Sequence, residues 1–366
     1  MALRTEEFMV NMGPHHPSTH GVCRLLLTMD GEKVIKVEPH IGYLHRSIEK
    51  ICENRTYHQC IPILDRFEYV TAMSCNYVFA LACEKLAQIE VPLRAEYLRV
   101  IMLELNRIAS HLIFYGTTAM DIGALTPFLY GLREREMIMD LFEMTCGQRL
   151  TYNYIRIGGV AKDIIPEFVP QCRKTIKIIS EKLNDYEGLL NENPIWLKRT
   201  KGIGFLPAEL AIAYGVSGPV LRASGVKYDL RVDDSYSIYN RFDFEIPTHT
   251  NSDVFDRYLL RLEEIKQSII IIEQALDGIP EGDIKAKVSP KFKPPAGEVY
   301  SRIENSRGEM GVYLLSDGTD KPVRVKTRGG SYNQLQVLPE IATDCLIADL
   351  VAIFASFDII LPEVDR

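Results

Sequence analysis

Between about Leu44 and Leu276, apolar residues recur at three- and four-residue steps over lengths that only helices can use. The clearest stretch is Arg94–Tyr115, where Leu98, Ile101, Leu105, Ile108, Leu112 and Ile113 mark one helical face. Arg133–Tyr154 and Arg173–Leu190 continue the pattern, and Val254–Leu276, closed by Gly278 and Pro280, is the longest regular segment. Several long amphipathic helices in one unit predict a bundle. Between Asn193 and Phe244 the chain is broken by Gly and Pro (GIGFLP, YGVSGPVLRASG). So long an irregular stretch inside a compact domain is usually functional or lies against a partner.

Strands are expected only at the two ends. EEFMVNM, VCRLLLTMD and KVIKVEP read as a small antiparallel meander, the last two joined at Asp30-Gly31. The first two strands are joined by Gly13-Pro14-His15-His16-Pro17-Ser18-Thr19-His20-Gly21, an unusually Pro- and His-rich connection. After a Lys- and Pro-rich linker, Pro280–Pro295, come the strands EVYSRIEN, EMGVYLLSD and KPVRVKTR, then a helix over Ile341–Phe354. The expected fold is α+β and mainly helical. It has three segments: a meander carrying the His-rich loop (1–43), a helical bundle (44–279), and a linker with strands, helix and tail (280–366).

Charge and composition exclude more than they identify. With 42 Lys+Arg against 49 Asp+Glu and no basic block, nucleic acid is not an expected partner. No apolar run approaches the ~18 residues of a membrane span, and MALRTEEFMV lacks the layout of a signal peptide, so the chain reads as cytoplasmic. None of the eight cysteines stands in a C-x-x-C pair. Phosphate-binding signatures, G-x-x-x-x-G-K-[ST] or a strand–G-x-G-x-x-G–helix, are absent, which disfavours nicotinamide binding by this chain itself.

Six of the eight histidines, His15, His16, His20, His40, His45 and His58, crowd the first sixty residues or so. His16 and His20 read either as a proton donor or ligand pair, or as caps of a turn. A zinc-protease helix is improbable, because Pro17 disfavours helix at His16 and no glutamate lies between them. Asp121, in DIGALTPF, suits either orienting a histidine or capping the next helix. The run Arg133-Glu134-Arg135-Glu136 reads most simply as a solvated helix face. Arg149 and Arg156 stand near Gly147, Gly158 and Gly159, where a partner or an anion could come close.

The order of several motifs carries a resemblance. GPHHPSTHG (Gly13–Gly21), GYLHRSIEK (Gly42–Lys50), LELNRIASHL (Leu103–Leu112), DIGALTPF (Asp121–Phe128), RIGGV (Arg156–Val160), SGPVLRASG (Ser217–Gly225) and the terminal EVDR together closely resemble the quinone-site core subunit of respiratory complex I. That family is the 49-kDa-type, or D-type, subunit, and the likeness is collinear from about Glu7 to Arg366. It implies a peripheral-arm subunit of a proton-translocating NADH:quinone oxidoreductase, related to the large subunit of NiFe hydrogenases. Such a subunit packs against one holding the terminal 4Fe–4S cluster, and also against the 30-kDa-type subunit and the membrane arm. It would sit on the cytoplasmic side of the cell membrane.

By the same likeness His20 hydrogen-bonds the quinone headgroup and Asp121 is its carboxylate partner, with His16 nearby. Arg46, Arg149, Thr151 and Arg156 would face the cluster or the interface. Aligned on ACEKL (Ala82–Leu86), the hydrogenase thiolate pairs fall at Glu68 and Thr71 and near Ile360 and Glu363. None is cysteine, so no metal is expected and the cavity is left for quinone. The family's headgroup tyrosine, placed by the same alignment, falls on Phe79, with Tyr77 two residues away on another helical face. Thr151 stands where the family has a histidine beside the cluster, which implies a low-potential acceptor such as menaquinone. The short segment at about Pro280 to Gly297 resembles ferredoxin- or F420-dependent relatives, leaving the electron donor open. A structural subunit with an altered headgroup site is the alternative that Phe79 suggests.

Overall fold

The structure, a computed structural model, describes residues 6–16 and 21–366, with His16 described by its backbone alone. At its centre lies α2 (Leu93–Asp121), flanked by α1 (Ala72–Ala87), α3 (Leu125–Cys146) and α5 (Val254–Gly278), with α4 (Phe168–Leu190) outside α3. Apolar residues are buried on nearly every side of α2, as a helix surrounded by others requires. Helices α2 and α3 approach closely because glycine faces backbone: a Cβ on Gly131 would sit 2.6 Å from the Leu112 carbonyl oxygen. No helix among the described residues is long and apolar enough to cross a membrane.

The N-terminal sheet is the expected antiparallel meander, β1 (Glu7–Met12), β2 (Arg24–Asp30) and β3 (Lys33–His40), with β2 in the middle. Alternation along β2 turns Leu25, Leu27 and Met29 inward. They do not meet the bundle's main core. Instead they share a second core with α6 (Gly330–Ile341), α7 (Ile347–Phe357) and the segment around Leu206–Leu221. The C-terminal sheet β4 (Gly297–Asn305), β5 (Gly308–Ser316) and β6 (Arg324–Arg328) sends Ile303, Met310, Val312 and Leu314 into the main core. The three segments read from the sequence therefore do not coincide with cores. The first and last meet in one, and the C-terminal sheet joins the bundle.

Four local expectations need correction. Helix α3 begins at Leu125 and stops at Cys146, where Gly147 takes φ +72 in the left-handed region, so Gln148–Tyr154 is not helical. Helix α6 was not expected because it opens on Gly329-Gly330 and contains Pro339. The final helix, expected over Ile341–Phe354, is α7, over Ile347–Phe357. The Arg133–Glu136 run is not all solvated: Glu134 is buried and accepts from Tyr186 Oη at 2.5 Å.

The irregular segment between Asn193 and Phe244 contains short helices stitched inward by buried ion pairs. Arg222 meets Glu264 at 2.6 Å and Glu304 at 2.8 Å, and Arg231 meets Asp229 at 2.7 Å and Glu104 at 3.2 Å. These pairs tie the stretch to α2, α5 and the strand that ends at Asn305.

Candidate functional site

A cavity of about 250 Å³ opens where four separate parts of the chain meet. Ile113, Thr117, Met120 and Asp121 come from the last two turns of α2, one face at helical spacing. Tyr69 and Val70 come from a single 3-10 turn just before α1. Arg307 comes from the β4–β5 turn, and Asp358 and Ile360 follow α7. The cavity is smaller than the usual pocket for a drug-sized molecule, so it suits one ring system rather than a whole ligand.

Behind its wall lies a buried charge cluster. Arg307 Nη1 donates to Glu68 Oε1 at 3.1 Å and to Ser110 Oγ at 3.0 Å, and its Nη2 donates to Asp358 Oδ1 at 3.0 Å. Glu68 also takes the Thr71 N–H and the Asn305 amide, while Glu363 caps the start of α6 through the N–H groups of Gly330 and Ser331. Burial raises the Glu68 carboxyl above its ordinary range; Arg307 opposes this and Glu363 adds to it. The β4–β5 turn can carry Arg307 this deep only because it crosses the Ser217-Gly218 backbone at a glycine. Gly308 has φ +107, and a Cβ there would lie 2.5 Å from Ser217 Oγ. That crossing gives the SGPVLRASG motif a structural reason.

The four positions where the resemblance puts hydrogenase thiolates do gather here. Ile360 lines the cavity, Thr71 donates to Glu68, and Glu68 and Glu363 sit close enough to perturb one another. Among the described residues, no cysteine lines the cavity.

Asp121 ends α2 rather than capping α3, whose N-cap position is Ala124. His20, with Pro17, Ser18 and Thr19, lies outside the described residues, as does the side chain of His16. The ends of their loop are placed: His15 pairs with Val22 and His16 with Gly21.

Phe79 and Tyr77 lie away from this cavity. Both are fully buried inside α1 in the main core, and neither lines the cavity; Tyr77 lies against Tyr236 and under the Arg99 guanidinium. The tyrosine on the cavity wall is Tyr69, ten residues earlier. Counting back along a helix from the Glu84 motif could not find it, because α1 begins only at Ala72.

The remaining arginines divide. A groove of about 390 Å³ is lined by Asp65, Arg66, Thr151 and Arg156 among others. It shares Pro62 and Arg66 with a second hollow lined by Arg46, Ile48 and Ile51. Arg149 is elsewhere, on the outer face of α3, held by Glu136, Asp140 and Glu143. All three carboxylates belong to α3, the helix that precedes it.

Sequence reading missed Asp65, fully buried beside the groove, which accepts from the Asn76 amide and keeps Oδ2 without a partner. Burial pushes its carboxyl up to about 7. A folded pKa above the unfolded one means the native state binds the proton more tightly. Asp65 therefore makes stability fall as pH rises from about 4 to about 7, and its effect levels off above that. Asp65→Asn is expected to flatten this part of the pH profile and raise the denaturation midpoint at pH 8 relative to pH 5. Urea titrations at the two pH values check it; an unchanged difference between them would show that Asp65 does not carry the effect.

Comparison with known proteins now bears on this geometry. The family model described as "Respiratory-chain NADH dehydrogenase, 49 Kd subunit" matches residues 121–291 and 286–366. A protein of Dehalococcoides mccartyi, named as the D subunit of NADH-quinone oxidoreductase, is 53% identical, with both chains covered in full. The same name belongs to a protein of Desulforamulus reducens, 53% identical over the whole of both chains. It belongs also to one of Clostridium beijerinckii, 48% identical over all of this chain and 98% of its own. The chain belongs to the 49 Kd subunit family of respiratory-chain NADH dehydrogenase. The family model takes in Asp121, Arg307, Asp358 and Ile360, whereas Tyr69 and the His-rich loop are reached by the full-length relatives.

Proposed function

We propose that this chain forms the quinone-reducing site of a complex I-type oxidoreductase, jointly with a neighbouring subunit that carries the terminal 4Fe–4S cluster. The observation that carries the reading is the headgroup-sized cavity, which sets Tyr69 and Asp121 on a mainly apolar wall backed by the Arg307 cluster. One placed neighbour in the chain supports including His20 in this reading. Its neighbour Gly21 lies beside Leu361, with a Cβ built on it 3.8 Å from Leu361 Cδ1, and Leu361 follows the cavity residue Ile360.

In this reading His20, oriented by Asp121, and the Tyr69 hydroxyl hold the quinone carbonyls and supply protons as electrons arrive. His16 flanks the same loop. The groove with Thr151 and Arg156, and the adjoining hollow with Arg46, receive the cluster-bearing subunit, while Arg149 lies outside both hollows, paired with carboxylates of α3. The chain sits on the cytoplasmic side of the membrane against the 30-kDa-type subunit and the membrane arm. Quinone reduction there drives ion translocation, with menaquinone as the acceptor and NADH, ferredoxin or F420 as the source of electrons. The descent from NiFe hydrogenases accounts for a cavity at the place where Glu68, Thr71, Ile360 and Glu363 converge. The tyrosine on the cavity wall favours this reading over a purely structural role.

Tyr69→Phe tests the headgroup assignment. In the assembled enzyme it is expected to raise the KM for a short-chain quinone roughly tenfold, about the worth of one hydrogen bond in a dry site. Steady-state kinetics identical to the parent enzyme would remove Tyr69 from the site.

A further inference from the structure

Between Ile284 and Pro295 the chain reads IKAKVSPKFKPP, four lysines and no acidic residue in a protein of net charge −7. Exposure alternates along it. Lys285, Lys287, Lys291 and Lys293 are exposed, while Ile284, Ala286, Val288 and Phe292 between them turn toward the protein. Such alternation belongs to an extended ribbon with one face covered and the other open. Elsewhere Lys36, Lys50, Lys182, Lys266 and Lys326 each meet a carboxylate. Among the described residues, none of the four ribbon lysines does.

The ribbon is held along one edge only. It runs antiparallel to the short strand Gly159–Val160: the Val160 N–H donates to the Ile284 carbonyl at 3.0 Å, and the Ala286 N–H donates to the Gly158 carbonyl at 2.8 Å. This approach needs the glycine pair of RIGGV. A Cβ on Gly158 would lie 2.6 Å from Val288 Cγ2, and one on Gly159 would strike the Ile284 carbonyl oxygen. In an extended chain the main-chain groups of successive residues point to opposite edges. The N–H and C=O of Lys285 and Lys287 therefore face away from the hairpin, and among the described residues no backbone group meets them.

We propose that this ribbon is the docking strand for a neighbouring subunit of the complex, which adds an extended acidic segment along the open edge. Main-chain hydrogen bonds supply the pairing, and carboxylates at alternate positions meet the lysines. Both features select the occupant. A free strand edge is completed by another backbone rather than by lipid headgroups, and unpaired cations favour a segment of opposite charge. The ribbon is also continuous with the groove lined by Arg156, since Arg156 pairs with Gly159 in the same hairpin. The inference needs only membership of a multi-subunit enzyme and does not depend on the quinone reading.

Zero-length carbodiimide cross-linking of the purified, assembled enzyme tests it, because the reagent joins a lysine amine to a carboxylate only where the two already touch. Mass spectrometry is expected to find Lys285 or Lys287 joined to Asp or Glu of another subunit, at alternate positions of one segment. Lys285→Glu combined with Lys287→Glu is expected to weaken retention of that subunit about tenfold at physiological salt, the worth of a few exposed ion pairs. Lys285→Arg with Lys287→Arg should retain it.

Cross-links confined to this chain would overturn the proposal and leave the lysines as solvated guards of a strand edge. Lysines shielded from acetylation only while phospholipid is present would overturn it too, in favour of headgroups. So would parent-like retention of every subunit in the Glu variant. The cross-links of the parent enzyme decide the matter even if that variant does not accumulate.

Discussion

Arg307→Met is expected to abolish accumulation of the folded subunit. The guanidinium is fully buried and donates to Glu68, Asp358, Ser110 and Ser306, with a further bond to the Asp358 carbonyl. Methionine fills much of the volume but leaves two buried carboxylates facing each other without a cation. Removing one partner of a buried ion pair costs about 3–5 kcal/mol. That is a large share of a total stability on the order of 5–15 kcal/mol. Part of the loss should be recovered by Arg307→Met combined with Glu68→Gln, which removes one of the two stranded charges. Immunodetection of assembled complex, with and without the second change, checks both halves. Normal levels of the single variant would mean the cluster contributes little.

His20→Ala in the assembled enzyme is expected to lower quinone reductase activity by about 10²-fold or more, the usual contribution of a positioned proton donor. Reduction of the assembled enzyme's iron–sulfur clusters by the donor should be unaffected, because the proposed function puts His20 where electrons leave rather than where they enter. The split between the two readouts separates lost chemistry from lost assembly. Retained quinone reductase activity and inhibitor binding would end the catalytic role of His20. Asp121 would then stand beside a cavity with a different proton source.

The long helices were legible because helix formation is local: burial of one face repeats every three or four residues, and α2 and α5 carry that pattern for many turns. The N-terminal meander was legible for the same reason, through its turn residues and the alternation of Leu25, Leu27 and Met29. Helix α6 was not. Gly330 stands at its start because a Cβ there would meet the Arg307 carbonyl at 2.3 Å, a tertiary demand that reads locally as a helix breaker. Glu134 likewise looked solvated until Tyr186 on α4 covered it.

The candidate site shows the same division. Asp121, named from an ordered motif, does line the cavity, whereas Tyr69, which lines it too, was not singled out. A position counted along a helix says nothing about which face opens on a cavity. Arg307 and Asp358 carry no local signal at all, since a charged residue on a turn or at a helix end is ordinarily solvated.

The sequence by itself determined that long amphipathic helices would dominate the bundle and that the chain belongs with the 49 Kd subunits of respiratory-chain NADH dehydrogenase. The tertiary structure alone decided where the cores lie and which side chains meet. Tyr69, Thr117, Asp121, Arg307 and Asp358 stand far apart along the chain and share one cavity. Periodicity reports how a segment divides between water and interior. It does not report which distant segment will supply the opposite charge, and in a dry interior that pairing governs whether a buried group can exist there at all.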